Sequence, residues 1–137
     1  MCLAVYIGSS LPLEEGSWDK KNPKFYLERA AEAEPPGRHF SGKFVYYAGS
    51  HEGCGCGFSK DGEPPEELIK CQENYDALAR VLEEALEKGA KLQLFTCWEG
   101  DQAEEPESVQ SISPQKVREP AYELQELELL HVERSDA

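Results

Sequence analysis

The residues of this chain best suited to chemistry lie together in one glycine-rich segment, residues 51–58, with the sequence HEGCGCGF. The segment combines the imidazole of His51 with the thiols of Cys54 and Cys56. Thiolate sulfur and imidazole nitrogen are ligands that zinc favours. The interspersed glycines allow backbone turns tight enough to direct both thiols toward one point. The segment therefore indicates a metal site, although His-x2-Cys-x-Cys is not the spacing of a common zinc finger.

Other uses of the same segment remain open. Cys54 or Cys56 could act as a nucleophile with His51 as its base. A Cys-x-Cys disulfide would close a small, strained and easily reduced ring, and no Cys-x2-Cys motif supports thioredoxin-like chemistry. Successive glycine N–H groups could cradle an anion, but the Lys and Ser/Thr of a phosphate-binding loop are missing. Alternatively, the cysteines simply pack as small hydrophobes in a non-catalytic binding or assembly module.

One long amphipathic helix is predicted for residues 65–88. Pro64 and Pro65 precede it, acidic residues occupy its first turn, and Gly89 follows it, which are typical helix boundaries. Its apolar residues recur at spacings of three and four, as one face of a helix requires: Leu68, Cys71, Tyr75, Leu78, Leu82, Ala85 and Leu86. Cys71 belongs to this face and is predicted to be a core residue.

Strands are predicted around the helix from runs of β-branched, aromatic and alternating apolar residues. The segments are 2–8, 24–29, 43–48 and 90–98, with a short strand near 108–112 and a tail, 121–134, for which strand is preferred over helix. Together, the predicted helix and strands indicate an α+β fold in a single domain, 1–137. It has a single mostly antiparallel or mixed sheet of about five strands, with the helix on one face. Long loops, or a second copy of the chain in a homodimer, would cover the other face.

This fold would gather further sulfur at the glycine-rich segment. If the strands 43–48 and 90–98 are parallel, both end at the same edge of the sheet, and Cys97 arrives there beside His51, Cys54 and Cys56. If the first strand is antiparallel to its neighbours, Cys2 arrives there as well. We therefore expect a structural zinc ion bound by His51, Cys54, Cys56 and one of Cys97 or Cys2.

Cys2 permits one other interpretation. Removal of Met1 would leave an N-terminal cysteine whose free amine can serve as its base. This start resembles that of the N-terminal-nucleophile amidohydrolases. The resemblance covers two residues only, and it implies amide hydrolysis at Cys2.

The composition of this chain limits the classes of molecule that it is expected to bind. The formal net charge is −13, which disfavours binding to nucleic acid and to anionic membranes. The five cysteines are odd in number, and no signal peptide or apolar run of about 20 residues is evident. We therefore expect a cytoplasmic protein with reduced thiols. The sequence indicates no substrate and no pathway.

Overall fold

The computed structural model of this protein describes residues 3–30 and 39–134. The elements lie in the following order along the chain: β1 (Leu3–Ser9), β2 (Tyr26–Arg29), β3 (Phe44–Gly49), one turn of 3₁₀ helix (Gly55–Phe58), α1 (Pro65–Glu87), β4 (Leu92–Trp98), β5 (Ser108–Ile112), α2 (Pro114–Arg118) and β6 (Glu128–Val132).

The strands form one mixed sheet of six strands in the order β2-β3-β1-β4-β6-β5. All neighbours are antiparallel except β5 and β6, which are parallel. The predicted α+β fold with one sheet and one long helix is confirmed, with six strands where about five were expected. Because β3 and β4 are both antiparallel to β1, they are parallel to each other. Their carboxyl ends therefore meet the start of β1 at one edge of the sheet.

The helix α1 covers one face of the sheet and buries most of the predicted apolar stripe. Leu78, Ala79 and Leu82 are fully buried there against strand residues such as Ile7 and Leu94. Leu68 differs from the prediction, because it is 38% exposed and the buried stripe begins one turn later. Gly89 ends the helix with a φ of +88°, a conformation that favours glycine.

The opposite face of the sheet carries a second, smaller apolar cluster: Ala4, Tyr6, Ala30, Phe40, Val45, Phe95, Cys97 and Leu129. Residues outside the strands, such as Phe40 and Leu127, pack onto this face, which is the loop cover that was one of the two predicted alternatives. Phe40 lies so close to Gly8 that a Cβ at that glycine would be 2.4 Å from its ring. His39 stacks on Phe95 with ring centroids 4.4 Å apart. This face is therefore also a packed layer.

In the C-terminal tail, for which strand was preferred over helix across 121–134, residues 128–132 form the strand β6 and residues 121–127 form turns and irregular structure. The slip in its alternating pattern falls at Leu127, which has a φ of +54°. Leu124 packs into the cluster under α1, whereas Leu127 packs against the cluster on the opposite face. The short helix α2 was not predicted, since five residues are too few to show a period. None of the described helices is long and apolar enough to cross a membrane.

Candidate metal centre

The segment 50–58 leaves the end of β3 and folds back over the start of β1; we call it the cysteine loop. Gly55 makes the closest approach, because a Cβ there would lie 2.0 Å from the carbonyl oxygen of Leu3. Gly57 is equally confined, with a Cβ position 2.4 Å from the Ser50 hydroxyl. These two glycines allow the loop to lie directly on the sheet edge. The loop is thus a packed structure with a defined path.

One buried hydroxyl organises the backbone of the cysteine loop. The side chain of Ser50 is fully buried, and its Oγ donates to the carbonyl oxygen of Cys54 at 2.5 Å. The same Oγ accepts hydrogen bonds from the backbone N–H groups of Glu52 and Gly57, at 3.2 and 3.0 Å. A single hydroxyl that bonds three loop residues fixes the turn between the two cysteines.

Two aromatic residues from the first third of the chain hold the outer side of the loop. The indole Nε1 of Trp18 donates to the carbonyl oxygen of His51 at 3.0 Å. The hydroxyl of Tyr26 donates to the carbonyl oxygen of Gly53 at 2.6 Å. Burial raises the pKa of Tyr26, and the charges of Glu28 and Cys54 add to the rise. The Tyr26 hydroxyl therefore keeps its proton and remains a donor to the loop.

Asn74, on the buried face of α1, ties the loop to the helix. It is only 2% exposed. Its Oδ1 accepts from the backbone N–H of His51 at 3.1 Å, and its Nδ2 donates to the carbonyl oxygen of Gly57 at 3.2 Å. Because one partner is only a donor and the other only an acceptor, these bonds fix the orientation of the amide.

The amide orientation also assigns the proton on the His51 ring. Nδ2 of Asn74 lies 2.8 Å from Nδ1 of His51, so that nitrogen accepts and the ring proton is on Nε2. Nε2 in turn lies 3.7 Å from a carboxylate oxygen of Glu67 in the first turn of α1. A metal at Nε2 would need the proton at Nδ1, facing the Asn74 donor. The arrangement therefore suits His51 as a link to Glu67 better than as the predicted metal ligand.

The two loop cysteines lie together with an acidic neighbour. The Sγ atoms of the two cysteines, Cys54 and Cys56, and a carboxylate oxygen of Glu52 all lie within 4.8 Å of one another. Neither cysteine is in a disulfide, and both side chains are half-buried. The backbone N–H of Cys56 donates to the sulfur of Cys54 at 3.5 Å, which holds the two cysteines close together on the loop. These three side chains form the candidate metal centre.

A second group with the same spacing adjoins the first and shares one member with it. It consists of His51, Glu52 and Glu67, whose ligand atoms also lie within 4.8 Å of one another. Among the described residues, no such group contains His51 together with a cysteine. The structure therefore brings the predicted ligands Cys54 and Cys56 together and places His51 in the neighbouring group.

The surroundings of the centre are negatively charged. Burial raises the pKa of the Cys71 thiol, and the carboxylates of Glu63, Glu67 and Glu52 raise it further. The field of these carboxylates thus extends from the loop to the buried face of α1. Such a field attracts a cation and opposes an unpaired thiolate.

The remaining predicted ligands lie elsewhere. Cys97 is fully buried in the apolar cluster on the face away from α1, between residues such as Ala4 and Phe95. Burial raises the pKa of its thiol to about 12, and Glu99 and Asp101 add to the rise. No group of closely spaced ligand atoms in the described ranges includes Cys97. Cys2, also predicted, lies outside the described residues.

Sequence reasoning missed three of the residues that form this region. Glu52 lies between His51 and the cysteines, so its position in the sequence was enough to mark its carboxylate as a potential ligand. Asn74 follows Cys71 by three positions, which places its polar side chain within the apolar stripe of the helix. A polar residue in such a stripe was the signal that could have identified it. The sequence identifies Glu67 only as an acidic residue in the first turn of the helix. Its contact with His51 depends on the path of the loop, which the sequence does not display.

Asn74→Ala should lower the free energy of unfolding by about 2 kcal/mol, because it leaves the half-buried N–H of His51 and the buried carbonyl of Gly57 without their Asn74 partner. Urea denaturation monitored by circular dichroism measures the change. Glu73→Ala, on the exposed side of the same helix turn, is the matched control and should be nearly neutral. Equal midpoints for the two variants would contradict the role assigned to Asn74.

No protein-family model matches this chain, and neither the curated proteins nor the solved structures include one with significant similarity to it. The function must therefore be inferred from the geometry of the site itself.

Proposed function

We propose that this protein binds a zinc ion through Glu52, Cys54 and Cys56. The observation that supports the proposal is the convergence of two thiols and a carboxylate within 4.8 Å of one another on a tightly held loop. Two thiolates with one carboxylate suit a borderline-soft divalent ion such as zinc. The biological role then depends on what this ion does, either holding the loop or presenting an open coordination position.

The spacing of the three side chains is compatible with one ion. Zinc binds sulfur at about 2.3 Å and carboxylate oxygen at about 2.0–2.2 Å, so two ligands at a tetrahedral angle lie roughly 3.5–3.8 Å apart. The observed limit of 4.8 Å requires only a modest contraction. Rotation about the side-chain torsions can supply it, because both cysteines are half-buried and Glu52 is exposed.

The charge around the centre favours a cation over a thiol nucleophile. A reactive cysteine needs positive surroundings that lower its pKa. Here Glu52 and Glu67 lie within the two ligand groups, and α1 begins with the acidic residues Glu66 and Glu67. A divalent ion would offset this negative charge and keep both thiols deprotonated. The enzyme interpretation based on Cys54 or Cys56 with His51 is accordingly the weaker one.

Three protein ligands leave the fourth position of a tetrahedral zinc ion for another group. A water molecule or a substrate would occupy it in a catalytic or transport site, whereas a further protein ligand would close a structural site. Cys2 remains the predicted residue for this fourth protein ligand. It is chemically suited to the role, and the first described residue of β1, Leu3, packs against Gly55 in the cysteine loop.

Cobalt(II) substitution tests the proposal and counts the sulfur ligands. Cobalt added to the reduced, tag-free chain should produce a thiolate-to-cobalt charge-transfer band and the strong visible absorption of a tetrahedral ion. Cys2→Ser should reduce the charge-transfer intensity only if Cys2 is a ligand, and Cys97→Ala should leave it unchanged. A spectrum that shows only the weak absorption of hydrated cobalt would contradict the proposal.

A further inference from the structure

The strand β5 forms one edge of the sheet, and its outward backbone groups are unpaired among the described residues. The N–H of Ser108 donates to Leu127, and the carbonyl of Ile112 accepts from Glu133, so both residues direct their backbone groups toward β6. In a parallel pair every second residue does so. The N–H and C=O groups of Val109 and Ser111 therefore point away from the sheet.

This edge lacks the features that normally protect an edge strand. The sequence of β5, SVQSI, contains no charge, no proline and no glycine, and its central residues are exposed. Val109 is 56% exposed on the same face as the buried Leu129. The opposite edge strand, β2, is shorter and carries the charges of Glu28 and Arg29. Charged and short edges resist pairing with another chain, whereas an uncharged edge invites it.

We propose that two copies of this chain pair through β5, antiparallel and about a two-fold axis at Gln110. In this register Val109 of each copy lies opposite Ser111 of the other. The two outward residues of each strand then exchange all their N–H and C=O groups with the partner, as hydrogen-bonded pairs of an antiparallel ladder do. The result is one continuous sheet, formed from the two six-stranded sheets. This inference does not rest on the zinc proposal.

The charges flanking β5 favour this orientation. The segment before the strand, EEPE at 104–107, carries only acidic charge, and the segment after it, SPQKVR at 113–118, carries only basic charge. Of the two basic residues, Arg118 is paired with Glu83 of its own chain, so the exposed Lys116 is the one that can act across the pair. Antiparallel pairing places the acidic end of each strand beside the basic end of its partner. It also separates the two copies of Glu107 by about 20 Å, well beyond the screening length at physiological salt. Parallel pairing would bring like charges together.

Sedimentation velocity of the full-length chain over a micromolar concentration series tests the proposal. The wild type should show a reversible monomer–dimer equilibrium. Ser111→Pro removes an outward N–H that the fold does not use, so the monomer should stay folded by circular dichroism. Because the symmetry removes two interface hydrogen bonds, the dissociation constant should rise at least about tenfold. Ser111→Ala keeps the N–H and should dimerise as the wild type does.

A pair of charge reversals provides the second measurement, which tests the antiparallel orientation. Glu104→Lys and Lys116→Glu should each weaken the dimer several-fold, and the double variant should recover it. Lys116 also contacts Glu119 of its own chain, 3.3 Å away. Both Lys116→Glu and the double variant lose that contact, so recovery of the dimer in the double variant must come from the pairing between the two chains. A wild type that remains monomeric throughout, or a folded Ser111→Pro variant that dimerises as tightly as the wild type, would overturn the proposal. Failure of the double variant to recover the dimer would overturn the proposed orientation.

Discussion

Gly55→Ala should destabilise this protein by about 3 kcal/mol or more, since the added methyl group meets backbone that cannot easily move. The Cβ would lie 2.0 Å from the carbonyl oxygen of Leu3 and 3.2 Å from the backbone nitrogen of Ala4. Both atoms belong to β1, which is hydrogen-bonded to strands on either side. The cysteine loop would have to lift from the sheet edge instead. Thermal and urea unfolding measure the loss.

Gly16→Ala is the matched control for this variant. It adds the same methyl group where no atom lies within 4 Å and where the backbone is outside the left-handed region that favours glycine. Its stability should stay within about 0.5 kcal/mol of the wild type. If Gly55→Ala were as stable as Gly16→Ala, the cysteine loop would not be packed on β1 as described. Because Gly55 separates the two cysteines, a destabilised Gly55→Ala chain should also bind zinc more weakly.

Cys54→Ser and Cys56→Ser should each weaken zinc binding by at least about 100-fold, and the double variant should abolish it. Each substitution replaces a thiolate with a hydroxyl that is protonated at neutral pH and is a poor zinc ligand. Glu52→Gln should weaken binding less, because two thiolates remain. Competition against a chromophoric chelator measures all three affinities on the reduced protein.

Cys71→Ala is the control for a cysteine that packs without binding metal. Cys71 is 2% exposed on the buried face of α1, and its sulfur lies 3.7 Å from the carbonyl oxygen of Ser59. Its removal should leave zinc affinity unchanged and cost a little stability. Equal affinity of the Cys54→Ser, Cys56→Ser and Cys71→Ala variants for zinc would mean that the loop thiols are not the ligands.

Most of the fold could be predicted from the sequence, because a long helix or strand repeats its pattern of apolar residues several times. The helix over 65–88 spans several turns, so its apolar period, opening prolines and closing glycine agree on one assignment, and α1 was confirmed within one residue of its end. The alternation in 90–98 likewise separated Leu92, Leu94 and Trp98 from Phe95 and Cys97, and the two sets do pack on opposite faces. The short helix α2 carried no comparable signal.

The candidate centre was less predictable, because it depends on side-chain directions that strand order alone does not determine. The topology brings the ends of β3 and β4 to one edge, as predicted. However, the alternation of β4 directs the Cys97 sulfur into the apolar cluster on the helix-free face. The contacts of Asn74 and Glu67 with His51 depend on how the cysteine loop folds over the edge. Three glycines in five residues leave that path open in the sequence.

Zinc content is the most direct test of the central claim that the cysteine loop is a metal centre. The full-length chain, purified without an affinity tag and without chelators, should contain close to one zinc ion per chain by elemental analysis. The Cys54→Ser/Cys56→Ser double variant prepared in parallel should contain only background zinc. Background zinc in the wild type, unchanged after incubation with the ion under reducing conditions, would contradict the account.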